Sequence, residues 1–364
     1  MGTTGETFDD HEITRRRLGT QRLVGTPFSS PAEAVEGLLA VQSQEYLMAR
    51  WALGMRCGDC DEAAVEQAFA AGEILRTHVL RPTWHFVAPA DIRWLLELTA
   101  PRVLRLMTPY ERELELDEAL LDRCLETIAE ALRGGLALTR AELGEALAQA
   151  GVADASGRRL GHIAMRAELE GLVCSGPRAG KRHTYMLLDE RAPEPGPAPS
   201  GSEALAELAL RFFTGHGPAT AHDLAKWSSL RVRDARTGIE LAGDGLQGFE
   251  HDGKTWWHAG AGTGAESHGC LLLPDYDEAA ASYRDLRLVM GAPVPGDAAF
   301  QKPLLLDGEC VGTWNRSLGR ESVDIEVRLF RQVGRAGRAE IEAEADRFAS
   351  FLQLRIGFLQ WVVS

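Results

Sequence analysis

The sequence predicts an α+β fold: three tandem winged-helix (helix-turn-helix) modules around a DNA-binding groove, then a C-terminal small β-barrel or sheet and a terminal helix. Three observations predict it. A pattern of helix, glycine and two short β-rich pieces recurs three times. A threonine-capped helix precedes the second and third copies. Beyond about residue 265 the pattern changes to short alternating strands.

The first copy has a helix over 61–72 and strand-like pieces at 73–80 and 83–87. The second has a helix over 158–171 with strands at 172–175 and 183–188. The third has a helix over 232–243 with strands at 246–251 and 254–258. Thr139 with Glu142, and Thr220 with Asp223, have the spacing of a capping box, in which the Thr oxygen and the acid three residues on satisfy each other's backbone N–H groups. Helix, capped helix, helix, hairpin is the winged form of the helix-turn-helix. Module boundaries are expected at 1–115, 116–192 and 201–265, with 266–364 as the C-terminal element. Residues 191–201 form a Pro/Gly/Ser linker. In the last element, strands are expected at 269–273, 302–306, 309–314 and 323–330. Asp307-Gly308 turns the middle pair, and a helix over 339–354 ends the chain.

Composition narrows the classes. A chain of 364 residues with 45% hydrophobic residues supports several cores. No apolar run reaches membrane-spanning length, and the polar, acidic start lacks signal-peptide character, so a cytoplasmic protein with no membrane partner is expected. The six cysteines include one C-x-x-C, Cys57 and Cys60, without a second pair at zinc spacing, and no H-E-x-x-H occurs. No metal and no other cofactor is expected. The net charge of −14 argues against a generic nucleic-acid coat but leaves room for a local basic cleft. Residues 11–24 carry Arg15, Arg16, Arg17 and Arg22 on a basic helix, either a solvated face or a phosphate contact.

The chain is organised around residues 38–56, centred on Gln42-Ser43-Gln44. A helix starting at Ser30-Pro31 leads into it, since serine caps and proline fits a first turn. Amides amid apolar residues are costly unless hydrogen-bonded. In a helix, residues i and i+2 point about 200° apart, whereas on an extended piece they converge. The motif is therefore expected at a helix end with both amides facing one cleft. On pattern alone, ordinary polar residues of a helix terminus are the favoured explanation.

Residues 38–56 and 76–96 together resemble the winged-helix DNA-binding-domain family that contains the AlkZ and YcaQ DNA glycosylases. Residues 175–191 and 271–285 are similar to the same family further along, and the resemblance covers nearly the whole chain from about residue 11. AlkZ-like members carry a catalytic Gln-x-Gln, so the resemblance implies catalysis by Gln42 and Gln44. The middle residue of that motif is usually aliphatic; here it is Ser43. The implied activity is monofunctional hydrolysis of the N-glycosidic bond of N7-alkylpurines in double-stranded DNA, including bulky adducts and interstrand crosslinks. A monomer near the nucleoid, in general repair or self-resistance to a genotoxin, is expected.

Other motifs weigh less. Residues 176–181 fall one residue short of a phosphate loop and have strand-like flanks, so they read as a wing tip. The basic residues there, Arg178, Lys181, Arg182 and His183, together with Arg158 and Arg159, are candidate DNA contacts; an exposed hairpin tip is the bland alternative. Residues 260–264 have no helix after them and form a loop, not a dinucleotide fingerprint. His85 and Trp84 are candidates for a supporting shell around the glutamines, against an ordinary strand histidine and a core tryptophan. The acidic run Asp275, Asp277 and Glu278 has no evident partner for glycosidase chemistry. The runner-up functions are a non-enzymatic winged-helix transcriptional regulator and a protein-interaction scaffold.

Overall fold

The computed structural model describes residues 7–192, 196–260, 269–291 and 302–363. Helix α1 (Asp10–Thr20) is followed by α2 (Pro31–Leu38), β1 (Ala40–Gln42), α3 (Tyr46–Arg56), α4 (Glu62–Ala71), β2 (Leu75–His78) and β3 (Trp84–Val87). The long α5 (Ile92–Glu113) leads to α6 (Glu118–Leu132), β4 (Leu138–Thr139), α7 (Arg140–Gln149), α8 (Gly157–Leu169), β5 (Val173–Ala179), β6 (Arg182–Leu187) and α9 (Leu188–Arg191). Next come α10 (Gly201–His216), β7 (Ala219–Thr220), α11 (Ala221–Ser228), α12 (Val232–Ala242), β8 (Gln247–His251) and β9 (Lys254–His258). The last part comprises β10 (Cys270–Leu272), α13 (Glu278–Ala281), α14 (Arg287–Met290), β11 (Lys302–Leu306), β12 (Glu309–Leu318), β13 (Ser322–Leu329), α15 (Arg335–Phe351) and β14 (Arg355–Val363).

Three antiparallel sheets repeat one topology, β1-β3-β2, β4-β6-β5 and β7-β9-β8. In each, a strand of two or three residues ahead of a helix pairs with the outgoing strand of a later hairpin. Both capping boxes form. Thr139 N donates to Glu142 Oε2 at 2.7 Å, and Thr220 N donates to Asp223 Oδ2 at 2.8 Å. Ser30 caps α2 with Pro31 in its first turn. The expected helices over 61–72, 158–171 and 232–243 correspond to α4, α8 and α12.

The C-terminal part differs from expectation. Its five strands order β10-β11-β12-β13-β14, and the chain does not end in a helix. After α15, strand β14 pairs parallel to β13, from Ser322↔Arg355 to Leu329↔Val363. A parallel neighbour needs a crossover, and α15 supplies it. Of the loop at 260–264, residues 261–264 lie outside the described residues.

The cores run across the expected module boundaries. Trp51 of α3 packs on Phe348 and Phe351 of α15 at ring distances of 5.1 and 5.2 Å, and its Nε1 donates to Leu272 O at 2.8 Å. Buried Arg56, the last residue of α3, forms a bidentate pair with buried Asp277 at 2.7 and 2.8 Å. The helix that follows the glutamine motif is thereby seated on the C-terminal sheet.

Candidate active site

Helix α2 stops at Leu38, and Leu39 takes φ +65° to swing the chain into β1. In β1, Gln42 pairs with His85 of β3, and the next residue continues the ladder, Ser43 N donating to Trp84 O at 2.7 Å. The strand ends at Gln42 and Gln44 lies in the bend that leads into α3, yet both amide oxygens turn to residues 81–84, Gln42 Oε1 towards Arg81 Nη2 and Gln44 Oε1 towards Trp84 N. Gln42 is half-buried and Gln44 exposed, while Ser43 is wholly buried with no partner for its hydroxyl. An aliphatic middle residue would suit that slot. The Ser43 carbonyl accepts from both Nε and Nη2 of Arg76, at 3.1 and 3.0 Å. Gln44 Oε1 lies 3.4 Å from its donor, Trp84 N.

Around Gln42 stand three residues that titrate. Arg81 Nη2 donates to Gln42 Oε1 at 2.8 Å and lies 2.9 Å from His85 Nε2; its Nη1 donates to Trp227 O at 2.9 Å. An arginine only donates, so His85 Nε2 is the acceptor and its proton sits on Nδ1, 2.9 Å from Thr83 O. Burial, and then the Arg81 charge, push the His85 pKa down to about 3, which keeps the ring neutral. Glu278 Oε1 accepts from Gln42 N at 2.8 Å, and its Oε2 accepts from Trp227 Nε1 at 2.9 Å and Ser282 Oγ at 2.5 Å. His216 Nε2 is 3.6 Å away, an ion-pair distance rather than a hydrogen bond. Burial by itself raises the Glu278 pKa, but His216, Arg81 and Ser282 together hold it below the ordinary carboxylate range. It is a buried, ionised carboxylate.

The other expected site residues divide. Trp84 donates from Nε1 to Glu168 Oε1 at 3.1 Å and carries the Arg76 guanidinium 4.4 Å above its ring. The second hairpin reaches the same place: His183 meets the Tyr46 ring edge-on at 4.6 Å, and Arg178 stands 4.9 Å from it. Tyr46 opens α3, two residues after Gln44, so the β5–β6 hairpin docks beside the motif. Arg178 also reaches Glu66 at 3.3 Å, and Glu66 takes Tyr46 Oη and Arg50 as well. Burial and the neighbouring arginines push the His183 pKa down to about 4, so it adds no positive charge near neutral pH. Lys181 and Arg182 are exposed at the tip. Arg158 and Arg159 are not brought to the motif; they bond Glu113 and the Glu115 carbonyl beyond the end of α5. The basic run of α1 is also committed, with Arg15 and Arg16 on Glu12 and Arg17 buried over Tyr283.

Two residues beside the motif carried no warning in the sequence. Arg81 looks like one more loop arginine before a proline. Glu278 stood out as acidic, but its partners Trp227 and Gln42 are 51 and 236 residues away in the chain. The acidic run is split among three partners, with Asp275 on Lys302, Asp277 on Arg56 and Glu278 on Gln42. It makes no paired-carboxylate site.

The arrangement offers two amides at the surface and, beneath them, ionisable groups that are buried. Comparison with known proteins identifies the family of the chain. The family model described as "DNA glycosylase AlkZ-like" matches residues 35–351. The chain belongs to the AlkZ-like DNA glycosylase family. It is a hydrolytic glycosylase acting on DNA. A curated relative from Streptomyces sahachiroi, an interstrand DNA cross-link repair glycosylase, is 26% identical over 359 residues, covering 92% of this chain and 94% of its own. The solved structure of the Streptomyces sahachiroi DNA glycosylase AlkZ superposes with a TM-score of 0.80 at 22% identity, covering 99% of this chain and all of the other. That likeness shows the shared α+β fold. Among the described residues, no helix is long and apolar enough to cross a membrane.

Proposed function

We propose that this glycosylase releases cationic N7-alkylpurines from duplex DNA, bulky adducts and interstrand crosslinks among them, with Gln42 and Gln44 as the catalytic pair. The observation that carries this reading is the pair of carboxamides at the end of β1, both with their oxygens on residues 81–84, flanked by a neutral histidine and an ionised carboxylate that are both buried. No group there is poised to protonate a leaving base. An N7-alkylated guanine needs no proton, because it departs as a neutral molecule from a positively charged one. The sugar then gains oxocarbenium character, and a water must be held below C1′. Each amide both accepts and donates, which suits it to fixing one water. The named activity of the Streptomyces relative on crosslinks supports the bulky end of this substrate range.

In this reading the three repeated sheets with their helices are winged-helix modules, at 1–115, 116–192 and 201–265. The element at 266–364 is a curled sheet that braces the first module. The protein acts as a monomer near the nucleoid and uses no metal or other cofactor. DNA lies across the docked second wing, with Lys181 and Arg182 on phosphates and Arg178 and His183 shaping the approach. Arg158 and Arg159 would meet DNA only by exchanging their present acidic partners for phosphates. Membership of an enzyme family leaves the regulator and scaffold readings without support.

The test is base release from a duplex carrying one N7-alkylguanine, followed beside a neutral lesion of similar size and in excess chelator. The cationic lesion is expected to be excised at full rate with chelator present, and the neutral one not. Gln42→Ala and Gln44→Ala should each slow release by roughly tenfold to a thousandfold with unchanged DNA affinity. Equal rates on both lesions, or wild-type rates in the double variant, would overturn the mechanism.

A further inference from the structure

Gln42 is held at two points by residues the family comparison does not assign. Its main-chain N–H is taken by Glu278, and its side-chain oxygen by Arg81. A guanidinium has no acceptor, so the atom facing Arg81 must be Oε1; the amide is fixed with its Nε2 directed elsewhere. We propose that Arg81 is a positioning residue of the glycosylase reaction, which sets the rotamer of the Gln42 carboxamide so that its NH2 and one remaining oxygen lone pair meet the attacking water. Glu278 is the buried counter-charge that makes this arginine compatible with a cationic substrate. The inference rests on Gln42 being catalytic, as proposed above.

Four observations carry it. First, Arg81 is placed by a strained turn. Leu80 has φ +65°, and Arg81 N donates back to Val79 O at 2.7 Å across a three-residue turn. A buried leucine in that region is strained and persists where surrounding structure over-determines it, commonly at functional sites. Second, the guanidinium cannot wander, because Gln42, His85 and Trp227 O hold it at 2.8–2.9 Å. Third, a lone buried cation here would oppose an alkylated purine carrying positive charge. Glu278 offsets it while binding Trp227 Nε1, so the same carboxylate and the same arginine grip both Gln42 and Trp227. Fourth, His85 is neutral and accepts from Arg81, which locks the arginine from behind without adding charge.

The consequence is a dependence that runs through Gln42 alone. Arg81→Met keeps much of the bulk and removes every donor. In single-turnover excision of N7-methylguanine it should lower the rate about tenfold to a hundredfold, with the Kd for DNA within about twofold. In a Gln42→Ala background the same change should cost less than about twofold, since residues acting as one unit are not additive. Arg81→Lys, which keeps the charge and a donor, should recover part of the rate and carries the same cycle if the Met variant does not melt cooperatively. A wild-type rate in Arg81→Met, or an equal loss in both backgrounds, overturns the proposal.

A second readout does not need the reaction. In protein labelled with 15N-glutamine, the Gln42 side-chain NH2 pair is assigned by its disappearance in Gln42→Ala. Its two protons should be dispersed and rigid in the wild type, and averaged to solvent-exposed values in Arg81→Met. Unchanged signals in Arg81→Met overturn the positioning role even if no base is released. Absence of base release with a perturbed amide would instead overturn the substrate reading and leave the positioning role supported.

Discussion

A histidine paired across a strand from a proposed catalytic amide invites the role of proton donor, and here the surroundings argue against it. His85 is buried, faces an arginine through Nε2, and has its pKa pushed down to about 3. A group that is neutral from about pH 4 upward does not lose or gain a proton across the working range. Excision of N7-alkylguanine is therefore expected to be flat from pH 6 to 8. His85→Asn, which keeps a donor and an acceptor, should stay within about threefold of wild type, the usual reach of a lost supporting contact rather than the 10²–10⁴ of a lost general acid. A pH–rate profile of the variant against wild type checks this; a limb near pH 6.5 that vanishes with His85 would restore it as an acid. Gln42 differs in kind, since its amide has no proton equilibrium in that range and, in the proposed role, acts through geometry.

At the scale of elements, the β5–β6 hairpin, the proposed second wing, is two devices in one. Its base is tied inward, with Ser175 Oγ accepting from Arg76 N at 2.8 Å and His183 and Arg178 against Tyr46. Its tip, with Lys181 and Arg182, is open to solvent. The two halves should respond differently. Lys181→Ala with Arg182→Ala should weaken DNA binding and lower the log–log salt slope by up to about two units, one per phosphate contact, leaving the single-turnover rate at saturation unchanged. Arg178→Ala should instead slow the saturated rate, because it loosens the seat of Tyr46 beside Gln44. Titrations at several salt concentrations, paired with saturated turnover, separate them; an unchanged slope in the tip variant means that the tip points away from DNA. Hairpins and capped helices of this kind were legible in the sequence because their signals are local: a cap three residues from its acid, a turn pair between two apolar runs. The short strands β1, β4 and β7 were not, since two or three residues become a strand only through distant partners such as Ala40↔Val87 and Ala219↔Trp257. The parallel strand β14 was hidden for the same reason. Of the site, the glutamines were visible as a motif, whereas Arg81 and Glu278 acquire meaning only through contacts 39 and 236 residues away.

Across the whole molecule, the repeated units and the C-terminal segment are joined by buried polar bonds as well as by apolar packing. Arg56 at the end of α3 binds Asp277 through both oxygens and also Gln21 Oε1 at 2.8 Å. Gln21 Nε2 then donates to Tyr283 Oη, which donates to the carbonyl of His216 at the end of α10. This one chain of bonds joins the N-terminal helix, the glutamine-bearing module, the third repeated unit and the C-terminal segment, immediately beside Glu278. Neither Arg56 nor Asp277 has any exposed side-chain surface, so each relies on the other's charge, helped by neutral partners such as Gln21 Oε1 and Ala279 N, to offset its lost hydration. Removing one partner strands the other's charge, and Asp277→Asn should cost about 3–5 kcal/mol of stability, seen as a melting temperature lower by several degrees in calorimetry. Replacing both, Arg56→Met with Asp277→Leu, strands nothing and should recover most of that loss. The doubly substituted protein should nevertheless excise more slowly than its melting temperature suggests, because Asp277 also accepts from Ala279 N in the turn that aims Glu278 at Gln42. A double variant that is as unstable as the single one would show that packing around the pair, and not its charge, holds the modules together.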